Sequence, residues 1–251
     1  MIKIMLCGCN GKMGYAISKL VENQKDCEIV CGIDINTNQV FQYPVFKNCD
    51  DYNGKADVII DFSHPSCTDS VISYAVKTKT PAVIATTGLA KEQISNLENC
   101  SKEVPLFFSA NMSLGVNLII NLVSQASKLL QENFDIEIIE KHHNQKIDAP
   151  SGTALAIADA ISNSVDFETE YVYDRHSVRK KRGAKEIGIH AVRGGNIVGE
   201  HSVIFAGTDE VVEIKHQATS KEVFAVGAVK AAKFLYNKPN GLYSMTDLIN
   251  G

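Results

Sequence analysis

IKIMLCGCNGKMG, residues 2–14, is the stretch that decides the fold, because a short apolar run leads directly into a glycine-rich turn and then a helical pattern. Gly8, Gly11 and Gly14 give the spacing GxxGxxG rather than the more common GxGxxG. Asn10 stands where the second glycine would fall, and asparagine tolerates positive φ. A strand-to-helix turn of this kind lets backbone amides approach a pyrophosphate at the positive end of a helix. The stretch therefore predicts either a dinucleotide-binding turn or a merely tight one.

Asp34 favours the dinucleotide, because it ends the second predicted strand 20 residues after Gly14. A carboxylate at this place can accept hydrogen bonds from the ribose hydroxyls of adenosine, although it could also be a solvated strand end. It repels a 2′-phosphate, and neither Ile33 nor Ile35 supplies a compensating cation, so NADH is slightly favoured over NADPH. Lys12 could reach such a phosphate, so both cofactors stay open.

Beyond this turn, the first half of the chain alternates β-rich runs with helical patterns, which indicates βαβ units around a doubly wound parallel sheet. Strands are predicted at Ile2–Leu6, Glu28–Ile33, Val58–Asp61, Ala82–Ala85 and Leu106–Ser109, and helices at Lys12–Glu22, Ser66–Lys77 and Lys91–Lys102.

The pattern changes after Asn111, where a long apolar helix, a strand and another helix precede three consecutive strands. The helices are predicted at Val116–Leu130 and Thr153–Ser162, and the strands at Asp135–Glu140, Glu186–Val192, Ile197–Phe205 and Val211–His216. Consecutive strands indicate an antiparallel or mixed sheet. The last helix, Glu222–Tyr236, resembles those of the first half. We therefore predict an α/β first domain over residues 1–112, completed by residues 221–251, and an α+β domain over residues 113–220.

Composition narrows the class of protein. The chain has 251 residues, a formal net charge of −4 and 45% hydrophobic residues, so neither nucleic acid nor a membrane surface is an expected partner. The seven cysteines all lie in the first 100 residues, and no His-bearing zinc spacing accompanies them, so we expect free thiols and no metal site. With no signal peptide or membrane span visible, we expect a cytoplasmic protein.

EKHHNQKIDAPSGTA, residues 140–154, concentrates the polar chemistry of the second half. A histidine can donate a proton near neutral pH, and Lys146 adds a cation close by. Pro150 stops any preceding helix, so Ser151 can cap the next one, whose first amides can bind an anion such as a carboxylate. The segment therefore predicts an acid-binding, proton-donating site, although lone histidines are more often structural.

These strings together resemble the 4-hydroxy-tetrahydrodipicolinate reductase family, also called the dihydrodipicolinate reductases. The pattern E-x-H-H-x-x-K-x-D-x-P-S-G-T-A stands unbroken from Glu140 to Ala154. The supporting strings are GCNGKMG at 8–14, DFSHP at 61–65, ATTG at 85–88, SANMSLGVN at 109–117, RGGNIVGEH at 193–201 and GLYSM at 241–245. The resemblance implies a Rossmann-type domain, an inserted substrate and oligomerisation domain with a mixed sheet, and a homotetramer joined through that sheet.

The activity that the resemblance implies is NAD(P)H-dependent reduction of a cyclic dicarboxylate in diaminopimelate and lysine biosynthesis. His142 matches the proton donor and Lys146 the catalytic cation, while the substrate contacts are His143, Ser151, Gly152 and Thr153. The residues that match cofactor contacts are Gly8, Cys9, Asn10, Gly11, Lys12, Met13, Asp34, Ala85, Thr86, Thr87, Ser109, Ala110, Asn111 and Met112. Whether the substrate ring is hydroxylated or dehydrated stays open.

The sequence differs from the family pattern at some positions, and other functions would be compatible with the same fold. Ala85 replaces a usual glycine beside the expected nicotinamide, and Val211 and Lys221 stand where arginine is frequent. The loop from Arg175 to Lys185 carries six basic residues, either as a solvated surface or as an electrostatic guide for a dianion. Another two-domain nicotinamide oxidoreductase, or a nucleotide-sensing module without catalysis, would share the fold.

Overall fold

A computed structural model of the chain describes all residues from Met1 to Gly251, and they form two compact units. The first unit comprises Met1–Leu114 together with Glu222–Gly251, and the second is Gly115–Lys221. No helix of either unit is both long enough and apolar enough to span a membrane.

The first half of the chain builds most of the first unit from alternating strands and helices, as the sequence predicts. Its strands are β1 (Ile2–Cys7), β2 (Cys27–Ile33), β3 (Val45–Phe46), β4 (Val58–Asp61), β5 (Ala82–Ile84) and β6 (Pro105–Phe108). Its helices are α1 (Lys12–Glu22), α2 (Pro65–Thr78) and α3 (Lys91–Cys100), with a short 3-10 turn at Cys49–Asp51. The alternation of apolar runs and helical patterns is thereby confirmed, with ends that shift by one or two residues.

The second unit begins in α4 (Leu114–Leu130) and continues through a sheet. Its other elements are β7 (Asp135–His142), α5 (Gly152–Ser162), β8 (Glu170–Val172), β9 (Glu186–Arg193), β10 (Gly199–Ala206) and β11 (Val211–Ala218). The strand order is β11-β10-β7-β9-β8, with antiparallel pairing on one side of β7 and parallel pairing on the other. The predicted mixed sheet is confirmed, and only the three-residue β8 was not foreseen.

Helices α4 and α5 cover one face of this mixed sheet. Ile119 and Val123 from α4 and Ile157 from α5 belong to one buried cluster with sheet residues such as Ile138 and Val203. On the opposite face the alternate residues of β11 are exposed, beginning with Val211. Because side chains alternate between faces along a strand, the buried face points Glu140 and His142 to the same side as this core.

The chain then returns to the first unit through α6 (Glu222–Leu235), β12 (Gly241–Tyr243) and α7 (Met245–Asn250). β12 pairs in parallel with β6, which completes a seven-stranded parallel sheet in the order β12-β6-β5-β4-β1-β2-β3. The order reverses between β1 and β4, and in open parallel sheets ligands bind beyond the carboxyl ends of the strands at such a reversal.

Helices pack on both faces of the parallel sheet, which is why its strands are continuous apolar runs. Ile4 and Leu6 of β1 point into a cluster that contains α1 and α6 residues, whereas Met5 and Cys7 point into one that contains α2 and α3 residues. Five of the seven cysteines are buried, and all seven are free thiols.

Candidate active site

The glycine turn follows β1 at the reversal point of the parallel sheet. Gly8 has φ +78°, and a Cβ there would lie 2.6 Å from the carbonyl oxygen of Phe62, so only glycine fits without strain. Gly11 caps α1 and donates its amide to the Gly8 carbonyl oxygen at 3.1 Å. A Cβ on Gly14 would overlap the Gly8 carbonyl oxygen. The three glycines therefore form a tight loop that leaves the N-terminus of α1 open to a phosphate.

Asp34 lies directly after β2 and is fixed by backbone amides. Its Oδ2 accepts from the Asn10 amide and its Oδ1 from the Asn36 amide, both at 3.0 Å. The side chain of Asn10 donates in turn to the carbonyl oxygen of Asn38 at 2.9 Å. A carboxylate has about four acceptor positions, so both oxygens keep capacity for ribose hydroxyls. The structure brings Asp34 against the glycine turn.

A cavity of about 570 Å³ opens beside this turn, and we call it the glycine-loop cavity. Its lining includes Gly8, Gly11 and Asp34, together with Ile35 and Lys47. Lys47 is a cation that the sequence reasoning did not consider, because it follows β3, a two-residue strand without a recognisable pattern. Cys9 and Met13 lie in or against the core beneath the turn rather than on this lining, and Lys12 is exposed at the start of α1.

Asp61 ends β4 and is a fully buried carboxylate next to the predicted nicotinamide side. Thr86 donates its hydroxyl to Asp61 Oδ2 at 2.9 Å, and the Ser63 amide donates to Oδ1 at 3.0 Å. Burial raises the pKa of Asp61 above its ordinary value, although these hydrogen bonds oppose the shift. Asp61 therefore anchors Thr86 without the help of a cation.

The remaining predicted cofactor residues follow the carboxyl ends of β5 and β6. Ala85 is buried in the core, so its methyl group does not project into open space. Thr87 is exposed. Ser109 donates its hydroxyl to the Asn111 carbonyl oxygen at 2.8 Å, which closes a small turn that includes Ala110. Met112 is buried.

In the second unit, His142 ends β7 and pairs with a fully buried carboxylate two residues before it. His142 Nδ1 lies 2.6 Å from Glu140 Oε2. Arg193 donates Nη1 to Glu140 Oε2 and Nη2 to Glu140 Oε1, both at 2.7 Å, and the Ser151 amide donates to Oε1 at 3.0 Å. Burial opposes ionisation of Glu140, but these hydrogen bonds outweigh it and lower its pKa. Glu140 is therefore a buried anion that holds one nitrogen of His142.

Ser151 connects this cluster to α5. Its side chain caps the helix by accepting from the Ala154 amide at 3.1 Å, and its hydroxyl lies 3.0 Å from His201 Nε2. Burial lowers the pKa of His201 to about 4, so this ring is neutral at pH 7. The rings of His142 and His201 meet edge to face, with centroids 5.2 Å apart. The start of α5 is thus held rigidly beside His142.

Gly152 is the first residue of α5, and the fold gives no reason for a glycine there. A Cβ added at Gly152 would meet no atom within 4 Å, and its φ is not positive. Thr153 follows in the same turn, where helix amides point out of the N-terminus. This arrangement is suited to the close approach of an anion to the backbone.

Lys146 lies on the loop between β7 and α5. Its ammonium nitrogen is 2.8 Å from Asp148 Oδ1, and a hydrogen bond from Lys146 lowers the pKa of Asp148. Arg193 also donates Nη2 to the Asp148 carbonyl oxygen at 2.7 Å, so the loop is tied to the Glu140 cluster. His143 follows the end of β7, and its Nδ1 is shielded from solvent without a hydrogen-bond partner. The structure thus brings the predicted cations and the start of α5 together within one unit.

Glu140, Arg193 and His201 are site residues to which the sequence reasoning gave no role. All three lie inside strings that carry the family resemblance, EKHH and RGGNIVGEH, so the sequence does mark these positions. What the sequence lacked was the pairing: β9 lies beside β7 with Arg193 in register with His142, 51 positions earlier in the chain.

The basic loop is partly neutralised within the second unit. Arg175 and Lys180 pair with Glu186, and Arg182 pairs with Asp135 and Glu137. Half of the six basic residues are therefore engaged in ion pairs, which weakens the case for an electrostatic guide. No group of three or more His, Cys, Asp or Glu side chains is placed to hold a metal ion.

Comparisons with known proteins find relatives along the whole chain. A family model described as "Dihydrodipicolinate reductase, N-terminus" matches residues 2–112, and one described as "Dihydrodipicolinate reductase, C-terminus" matches residues 115–249. The 4-hydroxy-tetrahydrodipicolinate reductase of Clostridium tetani is 52% identical over 250 residues, covering 100% of this chain and 98% of that protein. That of Caldanaerobacter subterraneus subsp. tengcongensis is 53% identical, covering 99% and 98%.

Among solved structures, the dipicolinate-bound dihydrodipicolinate reductase from Paenisporosarcina sp. TG-14 matches with a TM-score of 0.83. It is 25% identical, and the match covers 97% of each chain. Because two family models together match nearly all of the sequence, and relatives above 50% identity cover it from end to end, the chain belongs to the dihydrodipicolinate reductase family.

Proposed function

We propose that this chain reduces 4-hydroxy-tetrahydrodipicolinate to tetrahydrodipicolinate with NAD(P)H, as a step of diaminopimelate and lysine biosynthesis. Membership of the family makes it an NAD(P)H-dependent oxidoreductase. The observation that carries the residue assignment is the cluster of Glu140, Arg193 and His142 beside the N-terminus of α5. It combines a proton donor and an anion site within one unit.

The first unit fits a dinucleotide, because the glycines at 8 and 14 let the turn pack tightly against the backbone of Phe62 and Cys9 and leave the N-terminus of α1 open. When bound, the dinucleotide supplies the hydride. Gly8, Cys9, Asn10, Gly11, Lys12 and Met13 form the turn that receives the pyrophosphate, and Asp34 receives the ribose. Ala85, Thr86, Thr87 and the residues from Ser109 to Met112 bind the nicotinamide side.

Cofactor choice depends on two opposed charges on the glycine-loop cavity. Asp34 disfavours a 2′-phosphate, while Lys47 on the same lining offers it a cation. We propose that NADH is slightly favoured and that NADPH is accepted. Parallel KM measurements with both cofactors test this, and a clear preference for NADPH would contradict it.

The substrate carboxylate binds at the start of α5. Gly152 and Thr153 offer backbone amides there, and Ser151 positions the turn through its bonds to Ala154 and His201. The glycine at 152 is explained by this contact, since the fold would accept a side chain. His143, which follows the end of β7, makes a second substrate contact. The neighbour from Paenisporosarcina, whose structure holds dipicolinate, supports a cyclic dicarboxylate as the ligand.

His142 donates the proton that completes the reduction. Glu140 accepts a hydrogen bond from Nδ1, so the ring exchanges its other proton through Nε2. Arg193 keeps Glu140 ionised and therefore keeps Nδ1 protonated. As hydride reaches the substrate carbon, the electron pair of the substrate double bond takes the proton from Nε2. Lys146 stabilises the charge that develops on the substrate during this step.

We further propose that the protein is cytoplasmic and assembles as a homotetramer through the mixed sheet. Part of the face of that sheet opposite α4 and α5 is exposed in one copy, and Val192 and Val211 lie there. A measured mass of four chains by light scattering is expected. A monomer at micromolar concentration would contradict this assembly.

The test of the function follows the absorbance of NAD(P)H while the substrate is generated in the cuvette from pyruvate and aspartate semialdehyde by the synthase. Oxidation of the cofactor is expected only when all components are present. His142→Gln and Lys146→Ala are expected to lower kcat by about 100-fold or more with cofactor binding nearly unchanged. Absence of any oxidation by the wild type with either cofactor would refute the proposed function.

A further inference from the structure

Two thiols face each other on the wall of the glycine-loop cavity. Cys7 is the last residue of β1, and Cys49 begins the 3-10 turn at Cys49–Asp51. Their sulfur atoms are 4.0 Å apart, and both side chains are buried. Both also line the cavity, together with Gly8 and Asp34. The pair is therefore screened by protein but borders the space that we assign to the adenosine end of the cofactor.

The hydrogen bond between these thiols makes them chemically unlike. A hydrogen bond from Cys7 lowers the pKa of Cys49 in spite of its burial, and the same bond together with burial raises the pKa of Cys7. Burial raises the pKa of nearby Cys9 to about 11 and that of Cys31 to about 12. The thiolate is the nucleophile in exchange with disulfides, and Cys49 is also the more exposed of the pair, at 8% against 1% for Cys7, so Cys49 is the attacking group.

We propose that Cys7 and Cys49 are a redox-active dithiol that low-molecular-weight disulfides oxidise and that a bound dinucleotide protects. The Cys49 thiolate attacks one sulfur of the disulfide, which gives a mixed disulfide and releases one thiol after protonation by solvent. Cys7 then loses its proton to solvent and attacks the sulfur of Cys49, releasing the second thiol. The two cysteines are oxidised and the small disulfide is reduced to two thiols, so atoms and electrons balance.

Oxidation is coupled to cofactor binding because the two sulfur atoms have to move together from their present 4.0 Å separation. The turn at Cys49–Asp51 carries Asp50, and Lys47 and Asn48 precede it; all three line the same cavity. Drawing this turn toward β1 reshapes the wall against which the cofactor binds. The proposal rests on the proposed function at this point, since it takes the cavity to be the cofactor site.

The experiment treats the full-length protein with oxidised glutathione, with and without saturating NADH, and measures the intact mass and the kinetics. A loss of about 2 Da is expected, reversed by dithiothreitol and slowed by NADH, with peptide mapping that joins Cys7 to Cys49. The oxidised protein is expected to show a KM for NADH about tenfold higher. Cys49→Ser and Cys7→Ser should each abolish the loss of mass. Cys67→Ser is the matched control, because Cys67 lines the same cavity and its loss should leave the response intact.

An adduct of glutathione without an internal disulfide, or a disulfide that maps to other cysteines, would overturn the dithiol. A Cys7–Cys49 disulfide with an unchanged KM for NADH would overturn its coupling to the cofactor. The wild-type mass measurement decides even where a variant does not fold. If the untreated protein oxidised no NAD(P)H, the proposed function would fail, while the mass measurement would still decide on the dithiol.

Discussion

Asp61 in the first unit and Glu140 in the second are both fully buried carboxylates, yet their pKa values shift in opposite directions. Asp61 has only hydroxyl and amide donors around it, so the penalty of burial dominates and its pKa rises. Glu140 receives both nitrogens of the Arg193 fork as well as His142, and its pKa falls. Burial alone does not decide whether a carboxylate is ionised; the charge of its partners does.

The difference matches the roles proposed for the two units. In the proposed function the first unit holds a ready-made cofactor, for which a scaffold of neutral hydrogen-bond donors around Thr86 suffices. The second unit is proposed to donate a proton through His142, and a fixed anion beside this ring supports that role. We therefore treat the Glu140 cluster as part of the chemistry and Asp61 as part of the framework, and four predictions test that division.

Glu140→Gln is expected to have the largest effect. It leaves Arg193 without its buried counter-charge, and breaking such a pair costs about 3 kcal/mol of folding free energy. The ring of His142 also loses its ionic acceptor, so kcat should fall about 100-fold. Glu200→Gln, the same change on the opposite face of this sheet, is the control. Steady-state kinetics measure kcat, and urea unfolding measures the free energy of unfolding, for the two variants. Equal kcat values in the two variants would remove Glu140 from the mechanism.

The dependence of stability on pH should carry opposite contributions from the two carboxylates. Because the folded pKa of Glu140 lies below its ordinary value of 4.5, its contribution is full above that pH and is lost as the pH falls through the folded pKa. The folded pKa of Asp61 is raised, so its contribution is full below the ordinary value of 3.8 and is lost as the pH rises through the folded pKa. Urea unfolding of the wild type and Glu140→Gln across pH 3–7 tests the contribution of Glu140. The difference between their free energies of unfolding should become smaller as the pH falls. A difference independent of pH would contradict it.

Ser151→Ala should have an intermediate effect. It removes the side-chain cap of α5, which is worth about 1 kcal/mol, and the hydroxyl that contacts His201. A looser start of α5 should raise the KM for the substrate more than it lowers kcat. Ser244→Ala, which removes the cap of α7 in the other unit, is the matched control. A substrate KM that rises equally in both variants would show that the effect is not local to α5.

Asp61→Asn is expected to have the smallest effect. Asparagine can accept from the Ser63 amide with its oxygen, while its NH2 group donates to the Thr86 hydroxyl, which then accepts instead of donating. No ionisation penalty remains, so stability should change by less than about 1 kcal/mol at pH 7. The stability of the variant relative to that of the wild type should increase as the pH rises, because only the wild type carries the buried charge. Thermal unfolding at a series of pH values from about pH 4 upward gives the comparison. A loss of several kcal/mol would place Asp61 in the same class as Glu140.

Much of this molecule could be predicted from its sequence because the signals are local. The glycine turn, the apolar strands and the Ser151 cap each follow from residues within one or two turns of chain, and α1 and β4 begin and end at the predicted residues. The short elements β3, β8, β12 and α7 were not predicted, since a few residues show no periodicity. Two pairs could not be predicted, because their members lie far apart in the sequence. Arg193 follows Glu140 by 53 positions and Cys49 follows Cys7 by 42, and no local pattern shows that the fold brings them together.

The return of the chain to its first unit has a consequence for synthesis on the ribosome. The second unit is one continuous segment and can fold once Lys221 has emerged, whereas the first lacks α6 and β12 until residues 222–243 are made. Until then, only α1 covers this side of the sheet, and the part on which Ala228 and Leu235 pack is exposed. A nascent chain stalled before residue 222 would thus expose an apolar surface of the kind that chaperones bind and that aggregates. The order of folding is therefore the reverse of the order in which the two units begin in the sequence. The second unit can complete its fold first, and the first unit completes its fold afterwards.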